Sequence, residues 1–216
     1  MPLKKRDCPL EIELIPIGDG WTHIYLTAGG ERLFFISEYN QFSYLAKALY
    51  FFSPKQNDHD QAYDIIEEKV IKVYLDSEKS IVDMEVPYRT EFSWDEGGCD
   101  SSLWLLEQEP NYESDFTVKL HIEIQREEYH KEYDFEFLYK DLCYAVAKAY
   151  TKGLKEYGFF GYRFSTYYED VNVNHLLYLK AVALDCPEIR ELSTHPSGNG
   201  EVTNFNDELE LLLFDM

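Results

Sequence analysis

The sequence predicts an α+β fold, a mostly antiparallel β-sheet with about three α-helices packed on one side. Three observations predict it. Val118, Leu120, Ile122 and Ile124 alternate with Lys119, His121, Glu123 and Gln125, the period-2 pattern of a strand with one dry and one wet face. Leu142, Ala145, Val146, Ala149, Tyr150, Leu154 and Tyr157 mark one stripe of a long helix. The short strand-like runs follow one another in hairpins, with glycine-rich or polar turns between them.

Taken in order, Leu10 to Ile17 is a first strand, closed by Gly18-Asp19-Gly20. Trp21 to Thr27 and Arg32 to Ser37 form a hairpin, because Ala28-Gly29-Gly30 supplies the positive φ of a tight turn. Asn40 suits a helix N-cap, Phe42, Leu45, Ala46 and Leu49 follow at helical spacing, and Pro54 ends the helix. Lys55 to Asp64 is a polar loop. Val70 to Leu75 and Ile81 to Val86 read as strands around the turn Asp76 to Lys79, and Thr90 to Trp94 and Leu103 to Leu106 as two more. Asp95 to Gly98 and Pro110 to Ser114 are breaks. Tyr133, Phe135 and Phe137 continue the alternation of 118–125 in a partner strand, opposed by Asp134 and Glu136, with the polar stretch Arg126 to Glu132 joining the two. Asp141 caps the long helix and Gly158 stands where a C′ residue belongs. Gly158 to Tyr168 carries no assignable pattern. Asn172 or Asn174 starts a third helix reaching Leu184, with Pro187 beyond it. Ser193 to Gly200 is a loop, and the leucine-rich 204–216 is either a final strand or a docked helix.

The 216 residues are read as a single domain, 1–216, with two pseudo-halves, 8–54 and 103–158. Both halves show the order strand, turn, strand, capped helix. An offset of 101 matches Ala46-Lys47-Ala48 with Ala147-Lys148-Ala149, whereas an offset of 100 matches the apolar stripes. Two competing registers weaken an internal duplication, since helical periodicity alone generates such matches.

With 20 Lys and Arg against 41 Asp and Glu, the net charge is −21, which disfavours direct nucleic-acid binding by repelling phosphate. Apolar residues at 45% and aromatics at 16% exclude a disordered chain. Four cysteines in 216 residues exclude a disulfide scaffold. Cys8, Cys99, Cys143 and Cys186 are far apart and form no CxxC pair, so reduced thiols in a cytoplasmic protein are expected. Lys4, Lys5 and Arg6 precede an apolar run broken by Glu11 and Glu13, unlike a signal peptide. No window approaches a membrane span, so no membrane partner is expected.

No motif carries chemistry. Asp58-His59-Asp60 with Asp64 offers ligand-type residues but lacks the turning glycine of a calcium loop, and reads as a solvated loop rather than a metal site. Trp94 to Asp100 contains Cys99, yet none of His23, His121, His130, His175 and His195 is singled out as its base. The glycine pairs around 158–161 and 198–200 lack the lysine of a phosphate loop, and there is no GxSxG elbow. No catalytic, cofactor or metal residue is assigned, and an enzyme is the less favoured class.

Charge is the functional signal. If strands 118–125 and 133–137 pair, Glu123, Asp134 and Glu136 share one face, while Asp83 and Glu85 lie in another strand. Like charges facing each other destabilise a sheet, so these five are the expected partner-binding residues. In charge, size and lack of a catalytic motif the chain resembles the immunity proteins of bacterial toxin systems. That is a likeness of type, resting on no motif. It implies an inhibitor whose carboxylates neutralise a basic protein such as a toxin or nuclease. Two other classes stay open: an enzyme with an unrecognised pocket, to which the aromatics of 158–168 are suited, and an oligomeric assembly subunit using the aromatic 159–168 and apolar 209–214 segments. The oligomeric state is not specified by the sequence.

Overall fold

The computed structural model describes residues 3–18, 21–38, 45–46, 49–50, 88–95, 101–108, 116–126, 129–166, 172–186, 193–194 and 201–216. They form an α+β fold with two main antiparallel sheets. The first holds β1 (Leu10–Gly18), β2 (Trp21–Ala28) and β3 (Glu31–Glu38) in the order β1-β2-β3. The second holds β4 (Tyr88–Asp95), β5 (Ser101–Gln108), β6 (Thr117–Arg126) and β7 (Tyr129–Leu138) in the order β4-β5-β6-β7. Residues 45–46 and 49–50 are helical. Three helices follow β7: α1 (Tyr139–Thr166), α2 (Val173–Ala183) and α3 (Phe205–Leu213). A short ladder, β8 (Ser193–Thr194) with β9 (Glu201–Val202), precedes α3, where the sequence suggests only a loop over 193–200.

Each sheet turns one alternating set of side chains inward. In the first these are Leu10, Ile12, Ile24, Leu26, Leu33 and Phe35; in the second, Trp104, Leu106, Val118, Leu120, Ile122 and Ile124. Both sets belong to one core, which also takes up Leu45 and Leu49 and the stripe Leu142, Ala145, Val146, Ala149 of α1. Phe35 of β3 meets Trp104 of β5 edge to face at 5.2 Å between ring centroids. Tyr139, at the start of α1, stacks on Phe116 and donates its buried hydroxyl to the Leu49 carbonyl. Burial raises its pKa well above the ordinary tyrosine value, so it remains a donor.

The β2–β3 turn is built on Gly29 and Gly30, with φ of +58° and +85°, the left-handed pair that a two-residue hairpin requires. A Cβ on Gly29 would stand 3.3 Å from the Phe135 ring of β7, whereas one on Gly30 would meet nothing within 4 Å. Gly29→Ala is therefore expected to cost about 2 kcal/mol and Gly30→Ala about 1 kcal/mol. Urea denaturation of the two variants side by side measures the difference.

Several element boundaries differ from expectation. Strand β7 begins at Tyr129 rather than Tyr133. Residues 129–132, expected to belong to the connection 126–132, are ladder positions, with His130 opposite Gln125 and Glu132 opposite Glu123; His130, Lys131 and Glu132 are exposed. Helix α1 begins at Tyr139, so Asp141 lies in its first turn and is not the N-cap. Asp141 is 5% exposed and pairs with Arg6 instead. Gly158 has φ +67° and ψ 169° and interrupts α1, as a helix-ending glycine would, but helix resumes to Thr166. Asn172 is the N-cap of α2, its side chain accepting from the N–H groups of Asn174 (3.0 Å) and His175 (3.2 Å). Residues 205–213 are helix rather than strand, capped by Asn204, which accepts from Asn206 N–H at 2.9 Å. The order hairpin-then-helix recurs, β2–β3 before the helical residues 45–46 and 49–50 and β6–β7 before α1. The expected strands 70–75 and 81–86, the loop 55–64, the turn residues 19–20 and Cys99 lie outside the described residues.

Candidate functional site

The pairing of β6 with β7 sets Lys119 opposite Glu136, His121 opposite Asp134 and Glu123 opposite Glu132. Pairing with β5 sets Glu107 opposite Lys119, Leu105 opposite His121 and Leu103 opposite Glu123. One face of β5–β7 therefore carries Glu107, Glu123, Glu132, Asp134 and Glu136 together with Lys119, His121 and His130, beside a half-buried strip of Leu103 and Leu105; in β4, Arg89 stands opposite Glu107 and Glu91 opposite Leu105. The other face of the same strands is core, which forces the charged set outward.

Like charges directly opposed cost stability, and Glu123 and Glu132 are so placed. His130 meets both: its Nε2 lies 3.2 Å from a Glu123 carboxylate oxygen and 3.3 Å from one of Glu132. His121 Nδ1 lies 2.9 Å from Asp134, whose side chain is 85% exposed. The predicted residues Glu123, Asp134 and Glu136 are thus brought together on one exposed face. Asp83 and Glu85 lie outside the described residues, as does the Asp58, His59, Asp60, Asp64 cluster. Sequence reasoning missed Glu107, Glu132 and His130. The signal for Glu132 was the unbroken alternation back from Tyr133, masked by the polarity of both faces at the hairpin end.

The outer face of the first sheet is aromatic. Phe34 packs against His23 and Tyr25 at 5.0 and 5.2 Å between centroids. Its rings are already covered by the chain's own cations: the Arg32 guanidinium sits 4.4 Å from the Tyr25 ring, and Arg126 sits 5.7 Å from Phe34 while donating to the Phe34 carbonyl at 2.9 Å.

A cleft of about 470 Å³ runs between β1, α1 and the last residues of the chain. Its lysines face carboxylates: Lys148 to Glu11 at 3.6 Å, Lys152 to Glu13 at 3.4 Å and Lys155 to Asp215 at 2.7 Å. Lys155 and Lys5 together hold the Asp215 carboxyl below its ordinary pKa. Paired charges of this kind offer neither a free base nor a nucleophile. The described thiols are poor nucleophiles as well. Cys143 and Cys186 are buried, and burial pushes the Cys8 and Cys143 thiols up.

One lysine is used differently. Lys180 of α2 is fully buried, and its ammonium donates to the carbonyls of Leu211 (3.0 Å), Leu212 (2.8 Å) and Phe214 (2.9 Å) at the end of α3. These lie among the last carbonyls of the helix, at the negative end of its dipole; that of Leu211 also accepts from the Phe214 N–H at 3.3 Å. Burial, reinforced by Lys155 and opposed by Asp215, lowers its pKa from 10.5 to about 8.

Among the described residues, no group of three or more His, Cys, Asp and Glu is placed to hold a metal ion, and no helix is long and apolar enough to cross a membrane. No protein-family model, curated protein or solved structure matches the chain.

Proposed function

We propose that this is a cytoplasmic binding protein that neutralises a basic protein partner through the carboxylate-rich face of β5–β7, in the manner of an immunity protein. The observation that carries the reading is the Glu123–Glu132 pair, two carboxylates set directly opposite each other and bridged by His130 on an exposed face. A sheet that bears such a pair spends stability on keeping negative charge at one place, and a basic partner would relieve that repulsion on binding. The half-buried Leu103 and Leu105 beside the acids match the general plan of an interface, apolar at its centre and charged around it. Exposed carboxylates steer a cationic partner and raise its association rate, with strong dependence on ionic strength.

The test is capture from the source-cell lysate on the tagged protein, at low and at moderate salt, read by mass spectrometry. One basic protein that is retained at low salt and released at moderate salt supports the reading. Capture of nothing, or only of the protein itself, contradicts it.

A further inference from the structure

Helix α3 carries a second surface suited to a partner. Phe205, Leu209 and Leu213 are 71%, 40% and 69% exposed. At 3.6 residues per turn, residues four apart fall on one stripe, so these three form a continuous apolar line on the outer side of the helix. Leu211, on the opposite side, is 1% exposed and packs with Ala181 and Cys186. Half of the large apolar residues that stand exposed among the described residues lie on this line. A few scattered exposed apolar residues are ordinary, but an aligned set marks a binding surface.

The helix is also fixed before anything binds. Asn204 caps its start and Lys180 holds its last carbonyls, so docking would cost little ordering entropy.

Charge decides the occupant. On the helix surface the apolar line is bordered by Glu210 on one side and Glu208 on the other, and the segment FNDELELLL contains no base. A second copy laid against it would set these glutamates against themselves. We infer that α3 is a docking helix for an amphipathic segment of a basic protein, an apolar stripe flanked by Lys or Arg, packed along Phe205, Leu209 and Leu213. The inference rests on the reading above for the basic character of the partner, and adds a second contact surface to it.

The probe is a synthetic amphipathic helical peptide with a Leu stripe flanked by Lys, compared with one bearing Ser for Leu and one bearing Glu for Lys. Binding to the full chain is followed by NMR shifts at 205–213. The Leu/Lys peptide is expected to shift these residues and to bind at least about tenfold tighter than either control. Leu209→Ser with Leu213→Ser should weaken it about tenfold or more, since each removes exposed apolar contact without touching the core. The variant Glu123→Gln, Asp134→Asn, Glu136→Gln should bind it within about twofold of the parent, which separates this surface from the hairpin face. Equal binding of the Ser/Lys or Glu-bearing peptide overturns the inference. So does loss of binding in the hairpin variant with retention in the α3 variant. Self-association of the parent chain that the two serines abolish also overturns it, by making a second copy the occupant.

Discussion

Replacing Lys180 with Met is expected to destabilise the protein by about 3 kcal/mol at pH 7 and to release α3 first. The side chain is fully buried and donates to three carbonyls, and each buried polar group left without a partner costs about 1–3 kcal/mol. Methionine fills the volume but donates nothing, so amide exchange in 205–213 should accelerate more than in β6 and β7. The pH dependence has a defined sign. The folded-state pKa of Lys180, about 8, lies below the ordinary 10.5, so between these values the unfolded chain binds the proton and the folded chain does not. Stability contributed by this group therefore rises with pH across that window, by up to about 3 kcal/mol. The free-energy difference between parent and Lys180→Met, measured by urea denaturation, should widen from pH 8 to pH 10.5 and stay flat below pH 7.

Trp104→Ala should cost about 4 kcal/mol, the range for removing a large aromatic from a packed core. Trp104 is fully buried in β5 and its ring meets Phe35 of β3, so the change opens a cavity where the two sheets touch. Trp104→Phe retains a ring there and should cost about half as much. Equilibrium denaturation should show one transition for both variants. A cost under about 1 kcal/mol for the alanine, or separate transitions for the two sheets, would mean that they do not share a core.

The sheets were legible in the sequence wherever one face is dry and the other wet. In β6 the alternation of Val118, Leu120, Ile122 and Ile124 with polar residues predicts both the strand and its outward acid, Glu123. The same rule loses the start of β7, because His130, Lys131 and Glu132 are all exposed and no contrast between the faces remains. The 205–213 segment is ambiguous because a short leucine run suits a buried strand or a helix face equally; Asn204 as an N-cap is what separates them. Arg6 was unreadable as a partner for Asp141, since the pair joins residues 135 apart. Lys180 had a signal that went unused. It stands within LLYLKAVAL, with Leu176, Leu179, Ala181, Val182 and Ala183 around it, which leaves the helix no polar face on which a lysine could be solvated. A lysine in such a place must find acceptors inside. Of the functional reading, the sequence supplied the charge and three of the hairpin acids; the opposed Glu123–Glu132 pair and its bridging by His130 needed the register.

The most direct measurement is the affinity of the captured basic partner for the parent chain and for Glu123→Gln, Asp134→Asn, Glu136→Gln, across a series of salt concentrations. The neutralised variant, at least as stable as the parent because the Glu123–Glu132 repulsion is gone, is expected to bind at least about tenfold more weakly at low salt, through a slower association rate, with an affinity that depends less steeply on salt. Equal affinity and an equal salt dependence for the two proteins would contradict the assignment of the β5–β7 face as the contact surface.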